Sequence, residues 1–223
     1  VTDVPEGPLI VIANELFDAL PVHQFQFMED QWHERLVDVS PGGTGLRMVL
    51  DPAAANSETL SRFARPDDRA IAEVCPAGGA VAEHIAERVA RDTGAALIID
   101  YGHAEPGYGD TVQGVQGHTT QSIFAAPGMT DLCAHVDFAA LAEAGRTGGA
   151  TIWGPASQRT FLSQLGVGAR AATLTDVSPT DAAEIASAVH RLTHPDEMGT
   201  LFKVLAFSSA SLHPAGFDPR DPI

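Results

Sequence analysis

Residues Leu9–Ala13 read Leu-Ile-Val-Ile-Ala, an unbroken apolar run rich in β-branched side chains. A strand with one wet face alternates apolar and polar residues. An unbroken run signals burial on both faces, the habit of parallel sheets covered by helices. The run stops at Asn14-Glu15, and Asp18 follows one turn later. Ligands of open α/β sheets bind just beyond strand carboxyl ends. This amide and these carboxylates are therefore the first candidate site. Such a strand also requires parallel neighbours, and the sequence, opening on Val1, reads as beginning part-way through a fold.

Later segments repeat the α/β pattern. Ala77–Asp92 is Ala-rich, with Val81, Ile85 and Val89 recurring on one helical face, and Gly94 is expected to stop this helix. Ala95–Gly102 predicts a second buried strand, ending in Asp100-Tyr101-Gly102. A helix feeding a buried strand is the unit of a parallel, doubly wound sheet. Between these strands, Gln24–Met28, Trp32–Val39 and Leu46–Leu50 alternate apolar and polar side chains. They predict an antiparallel β-meander inserted over about residues 23–51. The glycines of 41–45 lack Gly-Lys-Ser/Thr and predict a hairpin turn, not a phosphate loop. A short helix is expected over Ser57–Ala64 and a short strand over Ala70–Val74. His103–Pro127 reads as a long polar connection. Helices follow at Val136–Ala144, Ser157–Leu165 and Ser178–Leu192, with strands at Ala150–Trp153 and Leu201–Phe207.

Charge narrows the function. The formal net charge is −16, with 29 acidic against 13 basic residues. Nucleic-acid and anionic-membrane surfaces need clustered Lys and Arg, so a cationic partner fits better. Cys75 and Cys133 form no Cys-x-x-Cys pair, which points to a reducing compartment without a disulfide framework. No apolar stretch approaches the ~20 residues of a membrane helix.

Several motifs in order carry a family likeness. Ile12-Ala-Asn-Glu-Leu-Phe-Asp-Ala-Leu-Pro-Val22 resembles the signature of the MidA-like methyltransferases, relatives of the mitochondrial complex I assembly methyltransferase. Leu97–Gly102, Asp131–Phe138, Gln158 with Phe161-Leu162 and Leu165-Gly166, and Glu197–Val204 extend the likeness along nearly the whole chain. The resemblance implies an α/β fold with a class I, Rossmann-like methyltransferase sheet, partial in this chain, carrying the inserted β-meander and added helices. It implies S-adenosylmethionine as cofactor and methyl transfer to arginine of a protein partner, such as a respiratory-complex subunit. The family's glycine-rich cofactor loop precedes its Ala-Asn-Glu strand, so residues 1–223 resemble the C-terminal portion of a single methyltransferase domain. The family's Gln-Gly is Gln158-Arg159 here. The implied setting is the bacterial cytoplasm or, in a eukaryote, the mitochondrial matrix, with a homodimer left open. A non-catalytic assembly module binding a respiratory subunit is the alternative reading.

The residues nominate specific chemistry. Positioning a guanidinium for methyl transfer needs carboxylates that hold a planar cation. Asn14, Glu15, Asp18 and Asp100 are the candidate catalytic residues, and Asn14 and Glu15 also the cofactor contacts within this chain. Tyr101, Gly102, His118, Asp131, His135 and Asp137 are candidate substrate contacts. For Asp18, Asp100 and the Asp131–Asp137 cluster, plain capping and loop-amide roles compete. Gly102 suggests a tight turn. Lys203, the sole lysine, sits in an apolar strand and is expected to pair or to snorkel. No convergent set of ligands suggests a metal.

Overall fold

The computed structural model describes residues 4–55, 58–64, 66–117 and 119–218. Strand β1 (Leu9–Asn14) pairs in parallel with β6 (Gly94–His103), from Leu9 opposite Gly94 to Asn14 opposite Ile99. Between them the chain builds a separate antiparallel sheet from β2 (His23–Met28), β3 (Gln31–Val39), β4 (Leu46–Ala54) and β5 (Ile71–Val74), in the order β4-β3-β2-β5. The meander is thus one strand wider than its alternation suggested. The expected helix near Ser57–Ala64 is a 3-10 turn, Glu58–Arg62.

Helix α1 (Pro76–Asp92) buries Ala82, Ile85, Ala86 and Val89 against the main sheet. Its stop differs from expectation. Thr93 takes the positive φ of 62° that ends the helix. Gly94 instead serves strand pairing: a Cβ there would lie 2.1 Å from the Leu9 carbonyl oxygen. Along β6, buried and half-buried residues alternate without a break. Ala96 and Ile98 join the core under α1, and Leu97 and Ile99 pack on the second cluster around Trp153, Phe161 and Phe217.

The long connection is not structureless. It holds β7 (Gln113–Gln116) and β8 (Thr119–Gln121), which form a small sheet with β9 (Asp131–Cys133). Strand β10 (Val136–Asp137) leads into α2 (Phe138–Thr147), then β11 (Thr151–Ser157) and α3 (Gln158–Gln164). Helix α4 (Val167–Val177), which was not among the expected elements, precedes α5 (Ala182–Thr193). No residue of α4 or α5 is buried.

The last strand, β12 (Phe202–Ser208), runs antiparallel between β6 and β11, giving the order β1-β6-β12-β11. β11 therefore runs parallel to β6. The result is a mixed α/β fold with a mixed sheet. Among the described residues Lys203 has no ion-pair partner; its Nζ donates instead to the carbonyls of Gly102, Thr200 and Leu201. It ties the start of β12 to the end of β6.

Candidate active site

The carboxyl ends of β1 and β6 define a crevice, and its shape follows from one interruption. β12 holds one edge of β6, so β1 and β10 share the other. β1 covers that edge up to Ile99, and the Glu15 N–H still donates to the Ile99 carbonyl at 2.9 Å. β10 resumes it at Gly102, where a Cβ would lie 2.0 Å from the Val136 carbonyl oxygen. Gly102 thus permits close strand approach, not the tight turn expected. In the gap between β1 and β10 the chain turns away through Phe17 and Asp18.

Asp100 anchors that turn. Its side chain is fully buried. Oδ2 accepts from the N–H groups of Phe17 (3.1 Å) and Asp18 (3.2 Å), and Oδ1 from that of Tyr101 (2.9 Å). Burial, reinforced by the Asp18 charge, pushes its pKa up to about 6. Asp100 therefore shapes the segment that carries Asp18 and is not exposed to the crevice.

The other candidates differ in setting. Asn14 and Glu15 are exposed at the tip of β1, with the Asn14 amide 3.4 Å from Glu15 Oε1. Glu15 takes a φ of 47°, a left-handed conformation that side-chain-bearing residues adopt at a cost and that clusters at functional sites. The Tyr101 hydroxyl donates to Asp18 Oδ2 at 2.5 Å, within the range of charge-assisted O–H···O bonds. Burial first, and this bond second, push the Tyr101 hydroxyl pKa upward, so it remains a donor. Asp18 Oδ1 is buried with no hydrogen-bond partner among the described residues.

The His135 ring packs edge-on to Tyr101, centroids 5.7 Å apart, and the His135 backbone N–H donates to Thr111 Oγ1. Burial lowers the His135 pKa and favours the neutral ring. Asp137 caps α2 by accepting from Ala140 N at 2.9 Å and pairs with Arg62 at 3.2 Å. His135 and Asp137 line one cavity of about 180 Å³ with Glu73, Cys75 and Phe17. Asp131 does not join them; it lies exposed at the start of β9. His118 lies outside the described residues.

A partly buried polar network here escaped sequence reasoning. Glu73 accepts from Gln24 Nε2, from the N–H groups of Thr111 and Val112, and from the Thr111 hydroxyl. Gln24 also donates to Asp110, which pairs with Arg35 at 3.0 Å. The meander is thereby tied to the connection that leads to β7. Alternation along β2 and β3 was the available signal, but it cannot tell which face meets the site.

A family model described as "Putative S-adenosyl-L-methionine-dependent methyltransferase" matches residues 1–156. The chain belongs to this family. Among curated relatives, it is 38% identical over 208 residues to the mitochondrial protein arginine methyltransferase NDUFAF7 of Danio rerio, covering 91% of this chain and 48% of that protein. The Homo sapiens counterpart is 37% identical over 207 residues, covering 92% of this chain and 46% of its own length. The chain thus spans about half the length of these relatives. A Burkholderia thailandensis structure bound to S-adenosyl-homocysteine matches with a TM-score of 0.85 at 30% identity, over 100% of this chain and 59% of that one. Family membership fits a crevice built at strand carboxyl ends. Among the described residues, no group of acidic, His and Cys side chains is arranged to hold a metal ion, and no helix is long and apolar enough to cross a membrane.

Proposed function

We propose that this protein transfers a methyl group from S-adenosylmethionine to arginine side chains of a protein partner, of the respiratory-subunit kind the family resemblance implies. The observation that carries this reading is the convergence of Asn14, Glu15 and Asp18 at the tip of β1, in a chain of the S-adenosylmethionine-dependent family. The relatives named as protein arginine methyltransferases support the substrate class, and a net charge of −16 suits a cationic partner over nucleic acid. The mitochondrial names of these relatives support the matrix as its place in a eukaryote.

In this reading the sheet is part of a class I, Rossmann-like methyltransferase sheet. Parallel β1, β6 and β11, with antiparallel β12 between the last two, support that assignment. Residues 1–223 are its C-terminal portion, with a sheet formed by β2–β5 as the insertion. Among the described residues the outer edge of β1 is unpaired and one of its faces is bare, with Ile10 and Ile12 83% and 70% exposed; the edge suits further strands of the same domain and the face a covering element.

The donor set at the β1 tip fits a cofactor bearing an amino-acid moiety. Asn14 offers both donor and acceptor, and Glu15 a carboxylate for an ammonium or guanidinium group. When bound, S-adenosylmethionine supplies an electrophilic methyl group. The chain's residues then do the positioning. Glu15 holds the guanidinium N–H groups and takes the proton that the methylated nitrogen releases. Asp18 holds a second side of the cation, fixed by the Tyr101 hydroxyl. Asp100 fixes the turn beneath both.

The test is methyl transfer from labelled S-adenosylmethionine to arginine-containing protein, using the native-length enzyme. Glu15→Gln keeps a side-chain acceptor for the cofactor's ammonium, so it is expected to retain most of the affinity for S-adenosylhomocysteine while cutting turnover by roughly 10²-fold or more, the usual scale for a lost general base. Unchanged turnover would remove Glu15 from the reaction. Stable partner binding without any transfer would favour the assembly-module reading.

A further inference from the structure

A second cavity, of about 380 Å³, opens beside Asp18 between the meander and the connection leading to β9. That volume lies within the ~300–1,000 Å³ range of ligand sites, which are mostly apolar with few polar groups. Val37 and Met48 are register partners on β3 and β4 and form one wall. Ile123 and Leu132 form the opposite wall, and Asp18 contributes the carboxylate. Arg35 also lines the cavity; its Nη1 lies 3.0 Å from Asp110 Oδ1, so its charge is balanced there, although Nη1 makes no hydrogen bond among the described residues.

Two observations indicate what such a cavity takes. Asp18 spends one oxygen on the Tyr101 hydroxyl, and its other oxygen has no partner among the described residues. A buried acceptor without a donor is an exception that calls for an explanation. A ligand that ends in N–H donors and carries positive charge supplies both the missing donor and charge balance. A ligand with an apolar stem before that head matches the aliphatic walls.

We infer that this cavity is the channel through which the substrate arginine reaches the tip of β1. Its methylene stem lies against Val37, Met48, Ile123 and Leu132, and its guanidinium engages the Asp18 carboxylate. This inference rests on the proposed arginine methylation and adds the route, assigning the meander a substrate-selecting role. Val37 is 57% exposed and Leu132 50% exposed, so the walls are open to an incoming chain.

The experiment measures binding apart from turnover. A fluorescein-labelled Gly-Arg-Gly peptide and its citrulline counterpart, which keeps the shape and loses the charge, are titrated into the native-length protein with S-adenosylhomocysteine present. The arginine peptide is expected to bind at least about tenfold more tightly, as one charge-assisted bond is worth that much. Asp18→Asn should erase this preference. Val37→Trp and Met48→Trp should each weaken arginine-peptide binding by about tenfold or more while leaving affinity for S-adenosylhomocysteine unchanged. The exposed position of Val37 guards against misfolding as the cause. Equal binding of the two peptides, or unchanged binding in both Trp variants, would overturn the channel. Selective, Trp-sensitive binding without methyl transfer would instead strike the proposed reaction and leave the channel standing.

Discussion

Neighbouring parallel strands end in carboxylates with opposite fates. Asp100, three residues before the end of β6 and level with Glu15, is fully buried and its oxygens accept from the backbone N–H groups of Phe17, Asp18 and Tyr101. Glu15, at the end of β1, is exposed, carries a left-handed backbone, and has a single weak partner in the neighbouring Asn14 amide. The same residue class at the same level of one sheet thus serves different ends. The buried carboxylate spends its acceptor capacity on the fold. The exposed one leaves most of its capacity unspent and, in the function proposed above, offers it to a ligand. Position at a strand's carboxyl end marks a candidate, but free hydrogen-bonding capacity separates a reacting group from a scaffold group.

This contrast can be broken by experiment. The largest effect is expected from Asp100→Ala, which strands three buried N–H donors. Their loss should lower stability by roughly 3 kcal/mol or more, read as a fall in the denaturant midpoint, and should abolish transfer through collapse of the Asp18 turn. Wild-type stability in Asp100→Ala would mean that the turn holds itself. A smaller effect concerns pH. The folded-state pKa of Asp100 is raised from 3.8 to about 6, so between these values the folded protein keeps a proton that the unfolded chain releases. The contribution of Asp100 to stability is therefore greatest at the acid end and falls as pH rises through about 6. Comparing the wild type with Asp100→Asn from pH 4 to 7 should show that slope disappearing in the variant. The smallest effect is at Glu15. Glu15→Gly relieves the φ of 47° and should leave stability unchanged or raise it by about 0.5–1 kcal/mol, with transfer lost. A clear loss of stability there would make Glu15 a second scaffold carboxylate and erase the contrast.

Much of the architecture was legible in the chain. The apolar runs of β1 and β6 and the one-sided apolar face of α1 announced the parallel pair and its covering helix, but the burial expected on both faces of β1 is met on one only, since Ile10 and Ile12 are 83% and 70% exposed. Alternation in Gln24–Met28 and Trp32–Val39 announced the meander. What escaped was what depends on distant partners. Helix α4 buries no residue, so no amphipathic stripe announced it. β7, β8 and β9 are short, and β8 is wholly exposed. β5 looked like an isolated strand because its pairing partner, β2, lies more than forty residues earlier in the chain.

The candidate site divides in the same way. Sequence by itself determined which polar residues stand near strand carboxyl ends: Asn14, Glu15 and Asp18 at and after the end of β1, and Asp100, Tyr101 and Gly102 among the last residues of β6, which runs on to His103. It did so because an apolar run must stop where the sheet meets solvent. Tertiary structure decided their division of labour. It put Asp100 under the turn, set the Tyr101 hydroxyl on Asp18 and separated Asp131 from His135. It also brought Arg35, Val37 and Met48 of the meander to the Asp18 cavity. Hydrogen-bond partners and burial are set by chain segments far apart in sequence, and local pattern carries no information about which of them will meet.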